Sequence, residues 1–455
     1  MNIDPYRDEL PPVREFLPGG AVLLSVPMPS AHSVTLGVWL RTGSEDEPPA
    51  LGGMSHFMEH IVFKGSESRS ALEIATAFDG LGAIVDAFTT KDHVAFTVKV
   101  LPEYFVPAVD LLSDMLLRPN LHPDLIALEQ DVVLEEIQEA LDTPEDRLHD
   151  AFAARVYGRH SRGRPILGTP ASVRALAADV LRREHRRLFA ASNVVLSMAG
   201  NLDTRHRDVV LDRFHLPAPD APPAAATGGS DAAEPGTPGV IAPADDGGNG
   251  RQAGEGRQAG DGDDGRDNGG DRLRLDSPIL QSYFEIGNRA VSYRHDDRLP
   301  VLLLGNVLGG GMSSRVFQAV REREGLAYTV YTYSDMGRDA GLVSCAGSCS
   351  PRKEKRLEQV VREEYARVIA EGISAEELEN NRAQIKSQLI FSLEGVSNQM
   401  ARAAKNEINY GRFVPVAELV DRIDAIDTAA IQRCARRYFS PEHLIVATHG
   451  PGADA

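Results

Sequence analysis

Apolar and polar positions alternate along Ser33–Arg41, where Val34, Leu36, Val38 and Leu40 share one side; this period of two predicts a half-buried strand. Ala83–Phe88 and His93–Val100 show the same alternation around Thr89-Thr90-Lys91-Asp92, the pattern of a hairpin. The period then lengthens, and Leu101–Leu117, Pro123–Leu141 and Pro170–Phe189 carry apolar residues at helical spacing. Further along, the pattern returns. Strands are predicted near Ile279–Ile286, Tyr328–Tyr333 and Gly341–Ala346, and helices near Pro300–Leu308, Arg352–Glu371 and Ala375–Leu393. Hairpin-linked strands with helices grouped after them predict an α+β chain of two homologous α/β-layered domains, each an antiparallel or mixed sheet packed against helices.

Short echoes support a duplication. Gly52-Gly53-Met54-Ser55 returns as Gly310-Gly311-Met312-Ser313, Tyr157-Gly158-Arg159 as Tyr410-Gly411-Arg412, and the stretch from Asn193 to Gly200 resembles that from His443 to Gly450. Between the halves, Pro, Gly, Ala and Asp dominate and no aromatic residue occurs, so the stretch buries too little apolar surface to offset its ordering entropy. The expected division is a metal-binding domain at 1–216, an acidic flexible linker at 217–272, and an inactive homologous domain at 273–455. Aligned on the shared Gly-Gly-Met-Ser, the copy places Ser314, Phe317 and Gln318 opposite His56, Glu59 and His60, so it cannot rebuild a site made from those residues.

Composition narrows the class. The formal charge of −18 disfavours nucleic acid, which needs a basic stripe; it suits attraction of cationic peptides and, more simply, solubility. No apolar run reaches membrane-spanning length and Met1–Gly20 lacks an apolar signal core, so no membrane association and a cytoplasmic location are expected. Cys345, Cys349 and Cys434 make no disulfide framework and read as reduced core thiols.

The chemistry concentrates in His56-Phe57-Met58-Glu59-His60, an H-x-x-E-H inversion of the helical zinc motif. Two histidines four residues apart project from one helix face, so both imidazoles reach one ion, and Glu59 lies beside it as a proton acceptor. A third ligand is needed. The segment 121–140 offers Glu129, Glu135, Glu136 and Glu139. Glu129 and Glu136 share a face with Val132 and Val133, where a carboxylate is costly unless paired or metal-bound. His93 and His122 read as structural.

With these motifs in place, the chain resembles the pitrilysin and insulin-degrading family of inverted-motif zinc peptidases, in the short branch that includes mitochondrial processing peptidase. The likeness runs from about residue 15 to 450, the linker excepted, and includes Val133-Leu134-Glu135-Glu136-Ile137. The resemblance implies that Glu136 is the third ligand of a single Zn2+ per chain, with Glu129 supporting the site. It implies that Gly309-Gly310-Gly311-Met312-Ser313-Ser314-Arg315 is the family's glycine-rich loop, and that Arg321 and Tyr328 bind the peptide backbone or the developing oxyanion. It also implies that Ala83–Phe88 is the edge strand to which an extended peptide adds, giving Asp86, Ala87 and Phe88 as substrate contacts, together with Gly310 and Gly311. Asp86 stands where many relatives carry Asn, and an ionised Asp cannot donate to a substrate carbonyl. The implied activity is zinc-dependent endopeptidase action on peptides or unfolded segments inside a closed chamber, as a homodimer or a heterodimer with a related chain. The rival reading is a catalytically silent scaffold or partner subunit.

Overall fold

A computed structural model describes residues 9–218 and 271–452; the expected linker falls, from 219 to 270, outside the described residues. The first half runs β1 (Val13–Phe16), β2 (Val22–Pro27), β3 (Val34–Leu40), α1 (Met54–Ile61), α2 (Ala71–Gly80), β4 (Ile84–Thr89), β5 (Val94–Val100), α3 (Phe105–Leu117), α4 (Pro123–Asp142), α5 (Pro144–Tyr157), α6 (Pro170–Arg174), α7 (Ala178–Leu188), β6 (Val194–Gly200) and α8 (Thr204–Arg213). The second runs β7 (Arg272–Asp276), β8 (Ser282–Ala290), α9 (Arg298–Gly309), α10 (Arg315–Phe317) continued by a π-helical stretch at Gln318–Arg323, β9 (Ala327–Met336), β10 (Gly341–Cys349), α11 (Glu354–Glu371), α12 (Ala375–Phe391), α13 (Val396–Tyr410), α14 (Val416–Asp424), α15 (Thr428–Tyr438) and β11 (Ile445–Gly450).

The sheet orders are β1-β2-β6-β3-β5-β4 and β7-β11-β8-β10-β9. Apart from β1 they match strand for strand, down to the single parallel pair in each, β2 with β6 and β7 with β11. The expected α+β class and its two layered units are therefore present. Each sheet carries its main core on one face, formed by Leu36, Val38, Phe57 and Val133 in the first half and by Ile286, Leu304, Val361 and Ile431 in the second.

The opposite faces are covered by exchange. α13 of the second half lies on the first sheet, with Val396, Met400, Ala403 and Ala404 against Val22, Trp39, Ala95 and Val195. α5 of the first half lies on the second sheet, with Leu148, Phe152 and Val156 against Leu342 and Ala447. All seven residues of β3 are consequently buried, not the alternate four that its pattern predicts. A Cβ at Gly37 would stand 2.5 Å from the Met400 sulfur and from the Trp39 indole nitrogen, so one of those side chains would have to shift. Glu407 of α13, itself buried, receives Arg14 at 2.9 Å and Arg41 at 3.1 Å.

Three expectations shift. Pro170–Phe189 is two helices, because the chain is extended at Ala177 and the turn places Leu176 fully in the core. The strand expected at Ile279 starts at Ser282, after a turn that leaves Leu280 exposed. The Gly-Gly-Met-Ser echo is out of structural register. Gly52 and Gly53 precede α1, whereas Gly310 and Gly311 follow α9, and it is α9 that packs on β9 and α12 as α1 packs on β4 and α4. The other two echoes fall at equivalent points, the ends of α5 and α13 and the strands β6 and β11.

The halves also meet through charge. Arg162, 1% exposed, reaches Glu45 and Asp92 at 2.9 Å and Asp335 of β9 at 3.0 Å. Arg338, in the turn after β9, reaches Asp46 at 3.1 Å.

Candidate metal centre

The centre starts with how α1 is seated. Gly53 caps it at φ 88°, where a Cβ would collide with the Leu167 carbonyl. The buried carboxylate of Glu47 accepts from the amides of Gly53 at 2.8 Å and Ser55 at 2.6 Å, answering the unpaired donors and positive end of the helix. Burial holds the Glu47 pKa above its usual range despite those bonds. Phe57, Met58 and Ile61 fix the helix in the core. That leaves His56 and His60 side by side, their ring centroids 4.5 Å apart, facing α4. On α4, Ile126, Val133 and Ile137 are the apolar anchors of the face that carries buried Glu129.

Glu136 Oε2 lies 3.6 Å from His56 Nε2 and 3.7 Å from His60 Nε2, and the three ligand atoms lie within 4.8 Å of one another. Donors about 2.0–2.2 Å from one tetrahedral ion stand about 3.3–3.6 Å apart, so the cluster has the size for zinc. The carboxylate oxygen Glu136 Oε2 is buried and has no hydrogen-bond donor. A buried acceptor aimed at two imidazole nitrogens is costly without a cation among them. The donor set, two nitrogens and one oxygen, is one that zinc takes when a position is left open for chemistry.

Neighbouring groups prepare the ligands. His60 Nδ1 lies 2.9 Å from Glu129 Oε1, and donation there turns the Nε2 lone pair toward His56 and Glu136. That bond is the main reason the His60 pKa is raised, against burial. Burial, helped by His60, pushes His56 down to about 4, which leaves it neutral and free to ligate near neutral pH. Burial opposes ionisation of Glu129, but hydrogen bonds from His60 and from Lys64, at 2.8 Å, outweigh it and hold its pKa low. Glu59 is raised, chiefly by burial, and Thr89 Oγ1 donates to its Oε2 at 2.6 Å.

The fold therefore brings together His56, His60, Glu136, Glu129 and Glu59. β4 is the last strand of its sheet, so the segment with exposed Asp86 and half-buried Ala87 and Phe88 has one backbone edge without a strand partner. Arg321 and Tyr328 are brought to each other: the guanidinium carbon stands 4.4 Å from the centre of the Tyr328 ring, which is 80% exposed. Among the described residues no hydrogen bond or ion pair joins them to the metal cluster. Gly310 and Gly311 pack against Asn306 and Gln384 of their own half. Thr89, Lys64 and Glu47 were not among the residues expected from sequence. A hydroxyl, an ammonium and a carboxylate at ordinary positions give no local signal of the partner the fold supplies.

In the second half, α9 takes the place of α1 and carries no His, Asp or Glu. Near its end, Asn306 donates to Asn381 at 2.6 Å and to Gln384 at 2.9 Å, both on α12. A cavity of about 400 Å³ remains there, lined by Leu299, Leu302, Asn306, Thr332, Gln388 and Ile423 among others.

Comparison with known proteins places the chain in a family of peptidases. The family model described as insulinase (peptidase family M16) matches residues 22–170, and the one described as peptidase M16 inactive domain matches 175–385. An uncharacterized zinc protease of Bacillus subtilis is 32% identical over 92% of this chain and 93% of its own length. One of Mycobacterium tuberculosis is 33% identical over 97% and 94%. Among solved structures, a protease from Helicobacter pylori superposes with a TM-score of 0.81 at 17% identity, covering 97% of this chain and all of that one. A peptidase M16 inactive domain protein from Pseudomonas fluorescens gives 0.78 at 18%, covering 98% of each.

Proposed function

This chain belongs to the insulinase family of peptidases, M16, and on that premise we propose that it is a zinc-dependent endopeptidase acting on peptides or unfolded segments. The observation that carries the reading is the convergence of His56, His60 and the orphaned Glu136 oxygen beside a carboxylate, Glu59, that is not one of the three. Zinc held by these three side chains, one ion per chain, supplies Lewis acidity that polarises a carbonyl and lowers the pKa of water. Glu59 takes the proton from the attacking water as the new C–O bond forms, and passes it to the amine nitrogen as the C–N bond breaks. Thr89 holds the carboxylate in one orientation. Glu129 fixes the tautomer of His60.

The free edge of β4 receives an extended peptide backbone, with Asp86, Ala87 and Phe88 along it. Backbone pairing tolerates many side chains, so chain conformation counts as much as sequence. Arg321 and Tyr328, stacked on each other and exposed, suit a contact from a second copy that closes over the substrate with Gly310 and Gly311, which makes a homodimer the assembly we favour. The intact set of His56, Glu59, His60 and Glu136 argues against a silent partner subunit.

The test is hydrolysis of an internally quenched peptide by the full chain. Cleavage that a chelator abolishes and zinc restores is expected. A zinc-loaded chain that cuts no member of a peptide library would overturn the reading.

A further inference from the structure

A second cavity, of about 320 Å³, opens where the start of α9, the end of α12 and the side of α13 meet. Its lining carries three cations, Arg298, Arg402 and Lys405, and no carboxylate, in a chain whose formal charge is −18. Arg402 is already neutralised by Glu9. Among the described residues no carboxylate pairs with Arg298 or Lys405. Arg298 is nonetheless held firmly. Its guanidinium carbon lies 3.9 Å from the centre of the Tyr293 ring, and Nη1 donates to the Tyr410 hydroxyl at 2.9 Å. A half-buried guanidinium, clamped by two tyrosines and lacking an anion, is a preorganised donor fork. Lys405 also lines the cavity; its ammonium stands 5.9 Å from the centre of the Trp39 ring, and desolvation lowers its pKa. The remaining wall includes Leu389, Leu393, Val414 and Leu419.

From this pairing of an unneutralised cation fork with an apolar pocket, we propose that the cavity binds a carboxylate carried on an apolar body, namely the C-terminus of a peptide ending in an aliphatic residue. The fork takes the two carboxylate oxygens and the leucine-lined wall takes the last side chain. An amide terminus has no charge to give the fork, so the site discriminates ends of chains from interiors. Because α13 is also the helix that covers the first sheet, occupancy braces the joint between the halves. The choice of a peptide as the ligand rests on the peptidase reading; the readout, binding without cleavage, does not.

The experiment uses the full zinc-loaded chain with Glu59→Gln, which leaves the probe uncut. Calorimetry compares acetyl-Ala-Ala-Leu as the free acid, the same peptide as its C-terminal amide, and hexanoate. The free acid is expected to bind at least tenfold more tightly than the amide and than hexanoate. Arg298→Gln should erase the preference for acid over amide, and Lys405→Gln should weaken the acid severalfold. Equal binding of acid and amide, or acid binding that neither substitution changes, overturns the proposal. Hexanoate binding as tightly as the peptide overturns the peptide terminus as ligand in favour of a small organic acid. If Arg298→Gln fails to fold, Lys405→Gln alone decides.

Discussion

In the first half, α1 and α4 face each other across His56, His60, Glu129 and Glu136; in the second, α9 and α12 face each other across Asn306, Asn381 and Gln384. The packing is the same and the electrostatics are opposite. Amides carry both donors and acceptors, so the Asn306 amide donates to both neighbours and Asn381 passes its own donor to the Glu377 carbonyl, with no charge to balance. Two imidazoles and a carboxylate turn acceptors toward one point and leave Glu136 Oε2 with no donor at all. One fold thus supports an uncharged amide cluster in one half and, in the other, a set of acceptors that could hold a cation.

The comparison breaks first at the base. Glu59→Gln should keep zinc and lower peptide hydrolysis by roughly two to four orders of magnitude; metal analysis beside steady-state kinetics checks both parts. If the rate survives, Glu59 is not the proton acceptor. The exchanged helices come next. Phe152→Ala removes a fully buried ring from the contact of α5 with the second sheet and should cost about 3–5 kcal/mol, with Met400→Ala on α13 costing about 2–5 kcal/mol. Urea titration measures each, and a much smaller loss at either would mean that the halves do not depend on the exchange.

Asn306→Ala sharpens the contrast between the clusters. It should leave one zinc per chain and lower stability by about 1 kcal/mol, the cost of leaving half-buried amide partners unmet. Thr89→Val removes the hydroxyl that holds Glu59. It should lower kcat by roughly tenfold with KM and zinc content unchanged, and Thr89→Ser should restore it. A change confined to KM would place Thr89 with the substrate, away from the base.

The smallest effect concerns the ionic joint of the halves. Burial, reinforced by Asp92, raises Glu45 from an ordinary 4.5 to about 7. Between those values the folded chain keeps a proton that the unfolded chain has lost. Stability from this group is therefore full below about pH 4.5 and lost as pH rises through about 7. Glu45→Gln should flatten that part of the plot of urea midpoint against pH. An unchanged slope would assign the dependence to other groups.

What could be read in advance follows from range. His56, Glu59 and His60 share one helical turn, and Glu129 and Glu136 share one helix face, so local periodicity is enough to single them out. Several strands were also legible, because β3, β5, β8 and β10 carry apolar patterns of their own. The exchange of α5 and α13 was not. Trp39 and Gly37 look like interruptions of an alternating strand until Met400, more than 350 residues away, is seen to pack on them. Likewise nothing local to Thr89 announces Glu59, and the repeated Gly-Gly-Met-Ser misaligned the copies because similar tetrapeptides begin one helix and follow its counterpart.

The reading proposed for this chain has α1 and α4, alone among the described elements, together holding one catalytic metal ion. Its most direct test is zinc content by elemental analysis of the purified full chain and of Glu136→Gln, each equilibrated with zinc and then desalted. One zinc per chain in the first and a large loss in the second is the predicted result. Full retention in Glu136→Gln, or no retained zinc in the parent chain, would contradict the account.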